Sequence, residues 1–246
     1  MDTNQIEFPL VTIVTVTYNC KELIASTIES VCQQIYPNKE HIIVDGASLD
    51  GTVEIIREYE NCVTQFVSEQ DGGIYDAMNK GICLASPDSH YITFMNAGDI
   101  YTNSHIIEKM VAGAKSRHTH LYGNVLSNSV IIKAPERLSS FVLSTNMVCH
   151  QTLFILTNIQ RNFLYDTQYK IAADYKLLLE LIHAGQLFEK IDLTVAEMDA
   201  SGVSHSHRAL LRDEKNKIRQ SFPIVFFFAL LKKRINALRK FWKTSK

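Results

Sequence analysis

The sequence predicts an α/β fold with a mostly parallel central sheet. Short runs rich in β-branched residues alternate with segments of helical length, and the alternation repeats every 25–40 residues. Leu10–Thr17 (LVTIVTVT) has the length and composition of a strand buried on both faces. A helical segment over about 20–34 follows it, then a second strand at Ile42–Asp45 and a helix over 51–60. A third strand ends at Ser68 before a helix over 74–85, and Tyr91–Met95 is a fourth strand before a helix over 104–117. Beyond about residue 120 the alternation loosens. Tyr122–Lys133 reads as a hairpin turning at Ser127-Asn128-Ser129, Leu153–Leu156 as a short strand, and Ala172–Ala184 as a helix with Asp174 in its first turn. With no internal repeat, low-complexity stretch or Pro/Gly-rich linker, the economical division is one domain over residues 1–220 and a tail over 221–246.

Composition narrows the function classes. At 246 residues, 46% hydrophobic and 21% charged, the chain is ordinary globular material, which excludes disorder, collagen and a polytopic membrane protein. The net charge of −1 conceals an asymmetry. Seven basic residues (Lys232, Lys233, Arg234, Arg239, Lys240, Lys243, Lys246) and no acid fall in the tail, so the body carries all 26 acids against 18 cations. Such a body is a poor non-specific nucleic-acid binder, because that affinity comes from cations neutralising phosphates. An anionic ligand of the body must be held locally, with the help of a cation. The five cysteines are scattered without a C-x-x-C pair, which reads as buried reduced thiols. The apolar run Phe8–Val16 follows Asp2 and Glu7 with no Lys or Arg before it, the wrong flank for a secretory signal, so the body is expected in the cytoplasm.

In sheets of this kind ligands sit beyond the carboxyl ends of the strands. Here those ends are polar: Thr17-Tyr18-Asn19, then Asp45-Gly46-Ala47-Ser48-Leu49-Asp50-Gly51-Thr52, then Ser68-Glu69-Gln70-Asp71-Gly72-Gly73, then Asn96-Ala97-Gly98-Asp99. Asp45 stands where a carboxylate can accept the N–H of a nucleobase, whereas Asp50 suits a helix cap. After the Gly72-Gly73 turn, Asp76, Asn79 and Lys80 share one helix face, a polar stripe able to line a ligand or simply to be solvated. Asp99 fits either a carboxylate ligand of a hard divalent ion that also holds phosphates, or an N-cap of the helix over 103–117. Asp174, with Ala172 and Ala173 beside it, suits a general base in a roomy pocket or an exposed acid favoured by the helix dipole. His150-Gln151 lies between two apolar segments. His207, with His205, offers a metal ligand or a surface histidine. No G-x-S-x-G, H-E-x-x-H, G-x-x-x-x-G-K-[ST] or strand-following G-x-G-x-x-G is present, which removes support for serine hydrolases, zincins, P-loop NTPases and dinucleotide dehydrogenases.

Taken in succession, Thr15-Val16-Thr17-Tyr18-Asn19, Asp45–Thr52, Asp71–Gly81 (DGGIYDAMNKG) and Asn96-Ala97-Gly98-Asp99 resemble family 2 glycosyltransferases of the GT-A fold, a Rossmann-like nucleotide-diphospho-sugar transferase architecture. Within that family the blocks look like the bacterial transferases of capsule and exopolysaccharide assembly, colanic acid clusters included. The resemblance covers about residues 9–200. It implies that Thr17, Tyr18, Asn19 and Asp45 hold the base and ribose of a nucleotide-sugar, that Asp71, Asp76, Asn79 and Lys80 lie close to the donor with Asn96 and Ala97, and that His150 and Gln151 face the acceptor. Asp99 matches the last acid of the family's D-x-D motif, which holds Mn²⁺ or Mg²⁺, and Asp174 matches the catalytic base. Two positions depart from the pattern. Asn96 replaces the first acid of D-x-D, and Ala173 stands where a Glu commonly precedes the base. The implied reaction is an inverting displacement, with a UDP-sugar as the favoured donor and a saccharide, in particular a lipid-linked one, as acceptor.

The tail reads as a helix from Pro223 with Ile224, Phe227, Phe228, Leu231, Ile235, Leu238 and Trp242 on one stripe and cations around it. The uncharged run Ser221–Leu231 is far short of the ~20 residues that span a bilayer. An amphipathic helix on an anionic membrane surface, at the inner face of the plasma membrane, fits both stripe and charge, and packing on the body or in a homodimer is the alternative. A different class remains open as well: a non-catalytic nucleotide-sugar or glycan-binding module of the same fold. Nucleotidyl transfer would need a Gly-rich basic loop after the first strand, and Thr17-Tyr18-Asn19-Cys20 is not one.

Overall fold

The computed structural model describes residues 8–144, 146–198, 207–225, 227, 228 and 231. The tail cations and Ile235, Leu238 and Trp242 lie outside the described residues, as does His205. Four strands form the parallel half of the sheet: β1 (Val11–Thr17), β2 (Lys39–Asp45), β3 (Gln65–Ser68) and β4 (Tyr91–Phe94), in the order β3-β2-β1-β4. β1 is buried along its whole length, as its unbroken β-branched run requires. Helices α1 (Lys21–Cys32) and α2 (Thr52–Glu58) cover one face, where Ile24, Ile28, Ile43 and Ile56 interlock. Helix α3 (Ile74–Leu84) covers the other through Tyr75, Ala77, Met78 and Ile82, against Val14, Val16, Ile42 and Val44. Gly81 lets α3 lie directly on β1, since a Cβ there would strike the Val14 side chain.

The second half is mixed. After the short β5 (Ile100–Tyr101) and α4 (Ile106–Gly113), β6 (His120–Ser127) and β7 (Val130–Ile132) form the hairpin, with Asn128 and Ser129 at φ 49° and 61°. Positive φ at both central residues matches the strand twist. The short helix α5 (Ser140–Leu143) and a 3₁₀ turn (His150–Thr152) lead into β8 (Leu153–Leu156), which runs antiparallel to both β4 and β6 and so joins the halves. After α6 (Thr157–Gln160) and α7 (Ala173–His183), β9 (Phe188–Glu197) pairs parallel to β6 and antiparallel to β5, and α8 (Arg208–Gln220) follows. The sheet is thus mixed beyond β4. β9 and α8 are elements that the sequence reading did not contain. The helix expected over 104–117 is shorter, because Ala114 is already extended.

The expectation of five buried thiols is overturned. Cys32 at the end of α1 is disulfide-bonded to Cys62 in the 3₁₀ turn after α2, with Cα atoms 5.6 Å apart. Their separation of 30 residues hid a proximity created by the α1–α2 packing. Cys83 is exposed, and Cys20 and Cys149 are partly so.

The start of the tail packs on the body. Val225 is fully buried in the same core as α3 and α7, and the Phe228 ring meets Phe141 edge-on at 5.0 Å. Ile224, Phe227 and Leu231 remain exposed. Among the described residues no helix is long and apolar enough to cross a membrane.

Candidate active site

The loops after β1, β3 and β4 converge, with α3, on a cleft of about 310 Å³ bordered by Thr17, Tyr18, Cys20, Asp71, Ile74 and Asn96. Hydrogen bonds hold its rim in shape. Asn19 takes a left-handed φ of 49°, its N–H donates to Ser48 Oγ (2.7 Å), and its Oδ1 accepts from Leu49 N (3.0 Å). Ala47 has φ 63°, a region costly for a residue with a Cβ. Asp45 explains how that turn is maintained. Its fully buried carboxylate accepts from Ser48 N (2.9 Å), from Ser48 Oγ, and from Ser68 Oγ (2.6 Å), tying the ends of β2 and β3 together. Asp50 serves two helix starts, accepting from Thr52 N at α2 and Lys21 N at α1, both at 3.0 Å. Gly46 leaves room for Asp71, whose Oδ2 lies 2.7 Å from where a Cβ would stand.

The expected Asp76/Asn79/Lys80 face is divided among several tasks. Asp76 accepts from Gly72 N (2.9 Å) and Asp71 from Gly73 N (2.8 Å), which fixes the Gly-Gly turn. Asn79 is committed to the backbone of Tyr165, donating to its carbonyl and accepting from its N–H at 2.8 Å each. Lys80 pairs with Glu69 (2.7 Å) and donates to the Gln70 carbonyl; the Glu69 carboxylate raises its pKa. Tyr18 is largely exposed, available to a flat ligand above the cleft.

At the Asn96 border of the cleft the structure brings five sequence-selected residues together. Asn96 Nδ2 meets His150 Nε2 at 2.9 Å, and His150 Nδ1 faces Asp174 Oδ2 at 3.7 Å. With Nε2 accepting, the ring proton sits on Nδ1, toward the carboxylate. Asp99 is buried and accepts from Gln151 Nε2 (2.9 Å). It precedes β5 and does not cap α4, which starts at Ile106. Asp174 is not an exposed first-turn acid: its Oδ1 accepts from Tyr175 N (2.7 Å) and lies 3.3 Å from Tyr75 Oη, whose one proton is shared with the Ile171 carbonyl at 2.8 Å. Burial, with Asp174 adding to it, drives the Tyr75 phenol well above its usual pKa and keeps it a donor. The Cys149 thiol is pushed up to about 12, mainly by burial, which leaves it protonated and unsuited to nucleophilic chemistry at neutral pH. His207 stands exposed at the start of α8.

Residues 12–176 match the profile described as Glycosyl transferase family 2. The chain belongs to that family. Its relatives include an uncharacterized glycosyltransferase of Mycobacterium tuberculosis, 30% identical over 211 residues, covering 81% of this chain and 78% of the relative. The putative teichuronic acid biosynthesis glycosyltransferase TuaG of Bacillus subtilis is 35% identical over 94 residues, 37% of this chain and 36% of TuaG. Among solved structures, S. aureus TarS in complex with UDP-GlcNAc superposes with a TM-score of 0.67 at 16% identity, covering 79% of this chain and 60% of that one. The mannosyltransferase PcManGT from Pyrobaculum calidifontis, in complex with GDP-Man and Mn²⁺, gives 0.63 at 16% identity, covering 93% and 75%. These likenesses establish the GT-A architecture of the chain.

The oxygen donors beside the cleft suit a hard divalent ion. Among the described residues no group of three His, Cys, Asp or Glu gathers, but Asp99 accepts through its carboxylate from the Gln151 amide and its backbone N–H donates to the Asn96 carbonyl, and the buried side-chain oxygens of these two partners, Gln151 Oε1 and Asn96 Oδ1, have no hydrogen-bond partner. Mg²⁺ or Mn²⁺ accepts such a set, with phosphate and water oxygens completing the shell.

α8 supplies residues that the sequence reading missed. Glu214 is buried, and its carboxylate accepts from the backbone N–H groups of Lys170 (2.7 Å), Ile171 (3.0 Å) and Ala172 (3.0 Å), which lead into α7. It thereby caps from outside a helix whose own cap residue, Ala172, has no side-chain acceptor. Asp174 sits in the first turn that this anion fixes.

Proposed function

We propose that the chain transfers a sugar, with inversion, from a nucleotide-diphospho-sugar, a UDP-sugar in particular, to a saccharide acceptor in bacterial surface polysaccharide synthesis. The observation that carries this reading is the juxtaposition of a cleft edged by unpartnered buried polar atoms, Thr17 Oγ1 and Asn96 Oδ1, with a half-buried Asp174 joined to it through His150. Asp174 Oδ1 is taken up by the Tyr175 N–H, with Tyr75 Oη beside it, so Oδ2 is the oxygen that receives the proton of the attacking hydroxyl. The hydroxyl oxygen bonds to the anomeric carbon as the nucleoside diphosphate departs. A bound divalent ion would supply neutralisation of the departing charge, with Asp99, Asn96 and Gln151 as its holders. TuaG's teichuronic acid assignment and the nucleotide-sugars bound by TarS and PcManGT support the reaction class. A thermal-shift series with UDP, GDP and dTDP sugars and Mn²⁺, followed by donor hydrolysis, tests it. Stabilisation by one donor together with Mn²⁺-dependent turnover is expected, while stabilisation without turnover assigns the chain to a binding module.

Residues 221–246 are proposed to seat the enzyme on an anionic membrane surface at the cytoplasmic side, beside a lipid-linked acceptor. Ile224, Phe227 and Leu231 are exposed at helical spacing while Val225 anchors the same segment to the core, and the seven cations follow in sequence. Deleting 232–246 is expected to move the protein from sedimenting with anionic vesicles to the supernatant. Unchanged sedimentation would remove the tail from that role.

A further inference from the structure

Helix α8 carries Lys215 and Arg219 one turn apart, and both lie over the same ring. Lys215 Nζ is 5.3 Å and the Arg219 guanidinium carbon 5.6 Å from the Tyr175 centroid. Arg219 Nε also donates to Tyr175 Oη at 3.2 Å, so its terminal nitrogens are the ones left for another group. Cations at this spacing on a helix repel each other. Neither has a carboxylate within ion-pairing distance among the described residues, although both are half-buried. The ring face offsets part of this repulsion. Burial pulls Lys215 below the usual lysine pKa, Arg219 adds to that, and Asp174 opposes it, which places the ammonium within the field of the proposed base. An otherwise unfavourable pair of this kind is relieved when an anion enters between them.

We propose that Lys215 and Arg219 form an anion-binding subsite for a phosphate or diphosphate ester carried by the acceptor. The inference deepens the reading of Asp174 as base and rests on it. Tyr175 follows Asp174 directly in the chain, whereas neither cation borders the cleft assigned to the donor. A planar guanidinium beside a mobile ammonium is a combination that grips phosphate oxygens from two directions. A diphosphate-linked lipid saccharide would present such a group close to its reacting hydroxyl.

The test uses the full chain and two probes in binding titrations: farnesyl diphosphate without added metal, standing for the acceptor, and UDP with Mn²⁺, standing for the donor. Lys215→Gln with Arg219→Gln is expected to weaken farnesyl diphosphate binding by about tenfold or more and to change UDP binding by less than about twofold. The charge-keeping exchange Lys215→Arg with Arg219→Lys is expected to restore most of the loss, which separates a lost subsite from a damaged fold. Unchanged farnesyl diphosphate binding in the neutral double variant overturns the subsite. A loss confined to UDP overturns its assignment to the acceptor. A wild-type protein that binds farnesyl diphosphate through this pair yet transfers no sugar keeps the subsite and loses the transferase reading, so the two failures are distinct.

Discussion

Asp174→Asn is expected to lower sugar transfer by about a thousandfold while leaving nucleotide-sugar affinity within about twofold, because a positioned general base contributes on that scale and binding does not require it. The substitution is nearly isosteric. The amide oxygen can still accept from Tyr175 N, and Tyr75 Oη keeps its bond to the Ile171 carbonyl, so the start of α7 should keep its geometry. What disappears is a basic oxygen at the Oδ2 position, where the amide NH₂ would face His150 Nδ1. The measurement is single-turnover transfer with saturating donor, read beside donor binding by titration. Transfer at the wild-type rate would take the base role away from Asp174. Equal losses of binding and transfer would instead make it a donor-holding residue.

The parallel half of the fold was legible because each strand is an apolar run ended by polar residues, and each helix has enough apolar spacing to show its period. The helix α8 was not. Its body-facing positions include Glu214, and the burial of that charge is offset by three backbone N–H groups from a segment more than 40 residues earlier in the chain. No hydrophobic period can record such a partnership. β9 left a clearer trace, since Ile191, Leu193 and Val195 alternate with polar residues, but its partner β6 is about 70 residues away and its pairing is parallel and irregular in register.

The site shows the same division. Asp45, Asp71, Asp99 and Asp174 could be singled out from positions at strand ends and a helix start, yet their tasks depend on neighbours that only the fold supplies. Asp45 is a buried brace between two strand ends. Asn79, chosen for its place on a polar helix face, secures the loop before α7 through Tyr165. His150 gains meaning from its two ring nitrogens reaching residues 54 and 24 positions away, Asn96 and Asp174. The departure at Asn96 also acquires a physical role: an amide can donate to an imidazole nitrogen with one atom and offer a carbonyl oxygen with the other, and an aspartate could do only the second.

That exchange of an acid for an amide concentrates the metal question on one carboxylate, so Asp99→Asn should have a larger effect here than in a site with two acids. The amide oxygen can still accept from Gln151 Nε2, and the buried position changes little in volume. The formal charge of the proposed metal site, however, falls to zero, since Asn96 and Gln151 contribute only neutral carbonyl oxygens. A hard divalent ion then loses its strongest protein ligand. The expected result is a fall of about a hundredfold or more in turnover, the scale seen when one preorganised stabiliser of developing charge is removed. The extra thermal stabilisation that Mn²⁺ gives in the presence of UDP should vanish as well. The checking experiment is a Mn²⁺ titration of both readouts in the wild type and the variant, with the ligand-free melting temperature as the control for folding. Identical Mn²⁺ dependence in the two proteins would place the ion elsewhere, and leave Asp99 as a buried acceptor that orients Gln151.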